Sequence, residues 1–161
     1  MKRTLKQIGS LFLMVCMAVT MLPGAVFAAV DDEFIVDNLK YKVLTEDTGA
    51  KTGTVALVGY PYGSEPTGTL IVAETVSNGG IDYTVTEIGK EAFGWCSGLT
   101  DIIISNSVET VGESAFISIT NLSNVTLGSS VKTIGDGAFK YLALTVLNHR
   151  PYLCSHIRLD S

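Results

Sequence analysis

The sequence predicts a β-rich solenoid of the α/β type, built from short parallel strands in 23-residue coils, and three observations predict it. An apolar-glycine-alanine-phenylalanine pattern recurs at a fixed spacing. An alternating apolar run follows each of the first two copies at the same distance. Ahead of the first copy lie several short β-rich segments that would cap the stack.

The repeat is clearest in three nine-residue segments, 85–93, 108–116 and 131–139, which follow one another at a constant period of 23. Self-similarity at a fixed period of this size is the signature of a repeat architecture. One such period suffices for a single circuit of a solenoid, in which each unit contacts only its neighbours. We therefore predict that the three segments stack on one another.

An apolar run follows the first two segments at 99–104 and 122–127. Strand alternation places Ile102 and Ile104 on one face and Ile103 on the other. A strand this short is not stable alone, so we predict that it pairs with the equivalent strand of the next coil in a parallel ladder.

The recurring small and aromatic residues are expected to shape each coil. The glycines are predicted to lie at sharp turns, where a positive φ would favour glycine. The alanines would allow close approach between coils, and the phenylalanines would stack as an aromatic ladder inside. Cys96 is expected to be a small buried thiol. The residues in question are Gly89, Gly112, Gly135, Ala92, Ala115, Ala138, Phe93, Phe116 and Phe139.

Residues 29–68 are predicted to form an N-terminal β-rich cap, with β-formers at 34–36, 39–44 and 55–60. The following run, 70–72, matches 102–104 at an offset of 32, which exceeds the period of 23 by nine. Gly79-Gly80 follows Ser77-Asn78 in the inserted stretch. This turn chemistry predicts a projecting hairpin.

Residues 1–28 are predicted to be a secretory signal peptide, because a basic head precedes a short apolar core and Val26-Phe27-Ala28. A retained anchor helix is the alternative, but the core is shorter than the ~20 residues that span a bilayer. Cleavage after Ala28 would remove Lys2, Arg3 and Lys6 and change the net charge from −5 to −8. Such an acidic chain is a poor partner for nucleic acid.

Residues 69–147 are assigned to the solenoid and 148–161 to an off-pattern tail, which is either a polar cap or the product of a truncated or frame-shifted reading frame. Both histidines, His149 and His156, lie in this tail with Cys154. A serine or cysteine nucleophile in the solenoid would therefore have no histidine as its base. The three tail residues do not show the paired spacing of zinc ligands, so they are a weak candidate for a zinc site. We predict no catalytic residue, no metal and no cofactor, and leave the disulfide state of Cys96 and Cys154 open.

These segments resemble the leucine-rich repeat family of the BspA type, whose units carry a leucine strand with isoleucine-glycine, alanine-phenylalanine, cysteine and leucine positions. Cys96 and Leu99 fit that pattern, whereas Ile119 stands where the second unit would carry the cysteine. The resemblance covers residues 69–147 well and 34–68 loosely. It implies a curved solenoid with a role in adhesion or protein binding, and no catalytic residues.

The predicted function is a secreted or cell-surface module that binds a protein, on a host or a neighbouring cell, through the concave face of the strand sheet. A spacer or targeting domain of a larger secreted enzyme is the alternative, as is a structural surface element. Candidate ligand contacts are the outward positions of two adjacent strands: Asp101, Ile103, Ser105, Asn124 and Thr126.

Overall fold

The computed structural model describes residues 29–142 and, as backbone, the short strand 146–148. The predicted signal peptide and the tail from residue 149 onward lie outside these residues, and their assignments stay predictions. Within the described part of the chain, no helix is long and apolar enough to cross a membrane.

The regular structure of the described residues is entirely extended. In chain order the strands are β1 (Glu33–Val36), β2 (Leu39–Asp47), β3 (Thr52–Gly59), β4 (Gly68–Val72), β5 (Thr75–Asn78), β6 (Ile81–Ile88), β7 (Leu99–Ile104), β8 (Thr110–Val111), β9 (Asn124–Thr126), β10 (Thr133–Ile134) and β11 (Val146–Asn148).

These strands form two sheets, and the chain alternates between them. Sheet 1 has the order β1-β2-β3-β6-β8-β10, with β5 also paired to β6. Sheet 2 has the order β4-β7-β9-β11, and all its pairings are parallel. Each coil therefore contributes one strand to each sheet, which confirms the predicted solenoid of short parallel strands.

The N-terminal strands join the stack through β3. β1 and β2 pair antiparallel, as do β2 and β3, but β3 pairs parallel with β6 and places Val55 opposite Val85. The amide of Gly89 donates to the carbonyl oxygen of Leu57 at 2.8 Å, as Gly112 does to Ile88 one coil later. β3 and β4 thus stack beneath the coil of β6 and β7 in the same manner as the later coils.

The inserted stretch forms the predicted hairpin, but it does not project. β5 pairs antiparallel with β6, and the turn residues Gly79 and Gly80 have φ values of 60° and 82°. Positive φ at both turn positions suits the tight two-residue turns that glycine favours. Val76 and Ile81 are buried, because the hairpin lies within sheet 1 and covers the core. The prediction of a projecting hairpin is therefore wrong.

The aromatic ladder fills the interior as predicted. The rings of Phe93 and Phe116 stack at 5.7 Å between centroids, and those of Phe116 and Phe139 at 5.4 Å, with interplanar angles of 9° and 13°. The ladder starts one coil earlier than the repeat indicated, because the ring of Tyr60 lies 6.1 Å from that of Phe93. Cys96 is a buried free thiol, and Ile119 is buried at the equivalent position.

The repeated glycines permit close stacking rather than a left-handed turn. None of Gly89, Gly112 and Gly135 has a positive φ. The prediction that these glycines adopt a left-handed conformation is therefore wrong. A Cβ on Gly112 would instead lie 2.7 Å from the carbonyl carbon of Gly89 and from the amide nitrogen of Lys90. At Gly112 and Gly135 backbone packs against backbone and a methyl group has no room, whereas at Gly89 the nearest atom to a Cβ would be Cγ1 of Val58 at 3.1 Å.

Candidate functional site

The outward face of sheet 2 is arranged in rows that run across the parallel strands. Ile71 of β4 lies opposite Ile103 of β7, which lies opposite Thr126 of β9. The row before it holds Asp101 and Asn124. Because the register is parallel, residues that occupy the same place in successive coils become neighbours on one surface.

Two isoleucines form an apolar centre on this face. Ile71 is 63% exposed and Ile103 is 42% exposed, whereas their strand neighbours Leu70, Ile102 and Ile104 are buried. Strand alternation explains the contrast, since successive side chains point to opposite sides of the sheet. Thr126 is exposed at the next place along the row and adds a hydroxyl beside the isoleucines.

A hydrogen-bonded carboxylate borders the apolar pair. The side-chain amide of Asn124 donates to Oδ1 of Asp101 at 2.6 Å, and the hydroxyl of Thr100 donates to Oδ2 at 2.7 Å. These two bonds, with that from Asn124 the larger effect, lower the pKa of the Asp101 carboxyl. Asp101 therefore holds a fixed negative charge at the edge of the row.

Ser105, the fifth predicted contact, is tied to the neighbouring coil. It follows the last residue of β7, and its hydroxyl donates to the carbonyl oxygen of Ala73 at 3.1 Å. The Ser105 hydroxyl oxygen also lies 3.0 Å from the hydroxyl oxygen of Ser107. Its half-buried side chain is thus engaged at the end of the strand, while Asp101, Ile103, Asn124 and Thr126 lie together on the open face.

Ile71 was missing from the sequence-derived contacts, although a signal for it existed. The run 70–72 matches 102–104 in sequence, and the structure pairs those residues in that register. Because Ile103 was predicted to point outward, the matching residue Ile71 could have been predicted to point outward as well.

Sheet 1 presents a different outer surface. Lys132 forms an ion pair with Glu109 at 2.8 Å, and these residues are one period apart. Lys90 and Glu113, again one period apart, pair at 2.9 Å near the following turn. Exposed pairs of this kind contribute little to stability. These two pairs place opposite charges side by side in successive coils, whereas the row on sheet 2 places two apolar side chains side by side.

No three potential metal ligands come together within residues 29–142. His149, Cys154 and His156, the three side chains that could be drawn as zinc ligands, all lie outside the described residues.

The short strands carry leucine and isoleucine, pair in a parallel ladder, and repeat at a constant period around an aromatic core. This combination defines a leucine-rich repeat protein. The chain belongs to the BspA type leucine-rich repeat family. The model of the "BspA type Leucine rich repeat region", with six copies, matches residues 74–154. Comparison with curated protein sequences finds no match.

Solved structures of bacterial leucine-rich repeat proteins share this fold. A leucine-rich repeat protein from Bacteroides ovatus is 30% identical, with a TM-score of 0.60 over 71% of this chain and 28% of that one. A leucine-rich cell surface protein from Faecalibacterium prausnitzii is 23% identical, with a TM-score of 0.52 over 70% and 30%. The pneumococcal vaccine antigen PcpA is 21% identical, with a TM-score of 0.52 over 72% and 38%.

This chain therefore spans about a third of the length of each of these three relatives. The last two likenesses, at such low identity, concern the fold alone.

Proposed function

We propose that this protein is a secreted or cell-surface binding module without catalytic activity, which attaches to a protein on a host or neighbouring cell through the outward face of sheet 2. The predicted signal peptide supports an extracellular location.

The exposure of Ile71 and Ile103 side by side carries the proposal. Single exposed apolar residues are ordinary on any surface. Here two branched side chains meet in register on one strand sheet. Full burial of an exposed isoleucine is worth about 1.5–3 kcal/mol, and a partner that covered both would gain roughly half of that from each, because they are 63% and 42% exposed. Side chains near the centre of an interface, which the partner shields fully from water, contribute most of the binding energy.

The surrounding polar groups would supply the rim of such an interface. Asp101 is held in place by Asn124 and Thr100, so little conformational freedom would be lost when a partner binds it. A fixed carboxylate beside an apolar centre favours a partner that presents an aliphatic or aromatic side chain near a lysine or arginine.

Cell-attachment measurements with variants of this face test the proposal. Beads coated with the whole chain are offered to intact animal cells and to intact bacterial cells, with and without prior trypsin treatment of those cells. Wild-type beads should retain one of the two cell types, and trypsin treatment should abolish the retention because the partner is a protein. Ile71→Lys and Ile103→Lys should each lower retention by about tenfold, the usual effect of removing a dominant contact.

Thr133→Lys is the matched control, because it adds the same charge at an exposed strand position of sheet 1. It should retain cells as the wild type does. Equal retention by the Ile71→Lys/Ile103→Lys double variant and the wild type, with melting temperatures unchanged, would remove the binding site from sheet 2.

A further inference from the structure

A second surface stands apart from sheet 2, in the turns that follow the aromatic ladder. Among residues 29–142, every strongly exposed aromatic side chain lies two positions after a ring of that ladder. The exposed rings are Tyr62, Trp95 and Tyr141, which follow Tyr60, Phe93 and Phe139, and Ser118 follows Phe116. We call these four positions the turn row. The coils of Phe93 and Phe139 thus bury one ring and expose another two places later. Tyr62 is exposed after the half-buried Tyr60, and Ser118 is half-buried after Phe116.

The backbone of the turn row does not favour aromatic residues. Trp95, Ser118 and Tyr141 have φ values of 62°, 58° and 58°, in the left-handed region where glycine and asparagine are the favoured residues. Trp95 is 63% exposed and Tyr141 is 58% exposed, so neither gains full burial in return. Glu91 and Ser114 share this conformation, so it belongs to the coil itself, and the exposure of the large rings is what sets the turn row apart. Large side chains that break a local preference without a gain in packing are candidates for a functional role.

The coils set the spacing of this row. The amide of Trp95 donates to the carbonyl oxygen of Ile117 at 2.8 Å, and that of Ser118 donates to Lys140 at 2.9 Å. Neighbouring coils lie at the usual strand separation of about 4.8 Å, so Trp95 and Tyr141 are about 10 Å apart. The small side chain of Ser118 lies between them and cannot cover either ring. Lys140 lies 4.9 Å from the ring centre of Tyr141, over one face.

The neighbours of the rings are hydroxyl and amide groups. Ser97, Ser118, Thr120 and Asn121 lie in the same turns, and the amide of Asn121 donates to the carbonyl oxygen of Ser97 at 2.7 Å. Flat aromatic faces alternating with hydroxyl groups suit pyranose rings, because a sugar ring has an apolar C–H face and a polar edge.

Charge indicates which kind of glycan would fit. The chain carries a net charge of −5, and Glu65 and Glu91 lie in the same turns as the rings, with Lys140 beside Tyr141. The excess of negative charge disfavours an anionic polysaccharide relative to a neutral one. We propose that the turn row binds a neutral glycan chain, with one pyranose ring stacked on Trp95 and a second sugar of the same chain reaching Tyr141.

Trp95 reports on its own surroundings, because it is the only tryptophan in the chain. The probes are hexasaccharides of neutral glucan, mannan, xylan and N-acetylglucosamine polymers, titrated into the whole chain while tryptophan emission is recorded. We expect a saturable shift of the emission to shorter wavelength with at least one of them, since stacking removes water from the indole. An emission spectrum that none of the four changes would overturn the proposal.

Substitutions that exchange residues between coils provide the matched variants. Trp95→Ser introduces the residue that Ser118 already provides at the same backbone conformation, so the fold should be retained. Its retention on the insoluble form of the responding polysaccharide should fall by about tenfold. Ser118→Tyr fills the gap in the row and should increase retention severalfold.

Three further outcomes separate this site from sheet 2. Ile103→Lys should bind the glycan as the wild type does, so a failure of the sheet 2 proposal would leave this one standing. If Trp95→Ser, with an unchanged melting temperature, retained the polysaccharide fully, the turn row would not be the site. A third outcome is that Trp95→Ser weakens cell attachment but not retention on the polysaccharide, and that no hexasaccharide inhibits the attachment. The turn row would then contact a protein, and the glycan proposal would be wrong.

Discussion

In the aromatic ladder phenylalanine recurs at every period, whereas on the outward face of sheet 2 the side chain changes from coil to coil. Phe93, Phe116 and Phe139 form one continuous stack. The outward row holds Ile103 in the coil of Phe93 and Thr126 in the coil of Phe116, with Ile71 in the preceding coil. Both sets of positions lie in equivalent places on successive coils, so the difference is one of exposure rather than of geometry.

This contrast teaches which positions the stack constrains. An interior side chain has to fit the coil above and the coil below at close-packed density, so one solution repeats. An outward side chain meets only its lateral neighbours and water, and can change without loss of stability. Outward positions that depart from the repeat are therefore where binding chemistry can differ between coils.

Removal of an interior ring should have the largest effect. Phe116 is fully buried between Phe93 and Phe139, so Phe116→Ala should lower the free energy of unfolding by about 3–5 kcal/mol. Chemical denaturation followed by circular dichroism measures this loss. Phe116→Leu, which refills much of the space, should cost clearly less. If the two variants proved equally stable, the ladder would not be close-packed.

An added methyl group between coils should have the next largest effect. Gly112→Ala places a Cβ against the backbone of Gly89 and Lys90, and should cost about 1–3 kcal/mol, the range for overpacking. Gly49→Ala is the control, because Gly49 is exposed, has no positive φ, and a new Cβ would meet only the flexible side-chain oxygen of Asp47 at 3.3 Å. A control as damaging as Gly112→Ala would contradict the close-approach explanation.

Alkaline pH should weaken the start of the ladder. A hydrogen bond with the Cys96 thiol, and then burial, raise the pKa of Tyr60 to about 12 from its usual 10.0. A folded-state pKa above the unfolded value means that the stability due to the neutral phenol is complete below pH 10. It is lost as the pH rises through 12.

Tyr60→Phe removes the ionisable group and should cost about 1 kcal/mol at pH 7, the usual net effect of one hydrogen bond. Denaturation between pH 7 and 11.5 should show a shallower loss of stability above pH 10 for Tyr60→Phe than for the wild type. If the two proteins lost stability with pH at the same rate, Tyr60 would have the same pKa in the folded and unfolded states.

The repeat was sufficient to predict the fold class, because stacking leaves a periodic imprint on the sequence. The ladder, the burial of Cys96 and the alternation around Ile103 all followed from the constant spacing of the repeat. The role of Tyr60 did not follow, because its segment shares a structural position with Phe93 but lacks the glycine-alanine-phenylalanine spacing.

Two other features left no usable signal. The repeated glycines were expected at positive φ, yet the left-handed positions are held by residues such as Glu91 and Ser114, which no sequence rule selects. Glycine is instead required two positions before Ser114, at Gly112, where neighbouring coils touch through their backbones. The hairpin of β5 and β6 was expected to project, because a sequence does not show that sheet 1 has a place for an added strand.

The most direct test of the separation between the repeating interior and the outward face is a paired measurement on Ile103→Lys. Thermal unfolding and cell attachment are recorded on the same preparation. Because Ile103 points away from the core, the substitution should change stability by only about 0.5 kcal/mol. Attachment should nevertheless fall by about tenfold, as expected for the loss of a dominant contact. A variant that melts as low as Phe116→Ala, or one that attaches as strongly as the wild type, would contradict the account.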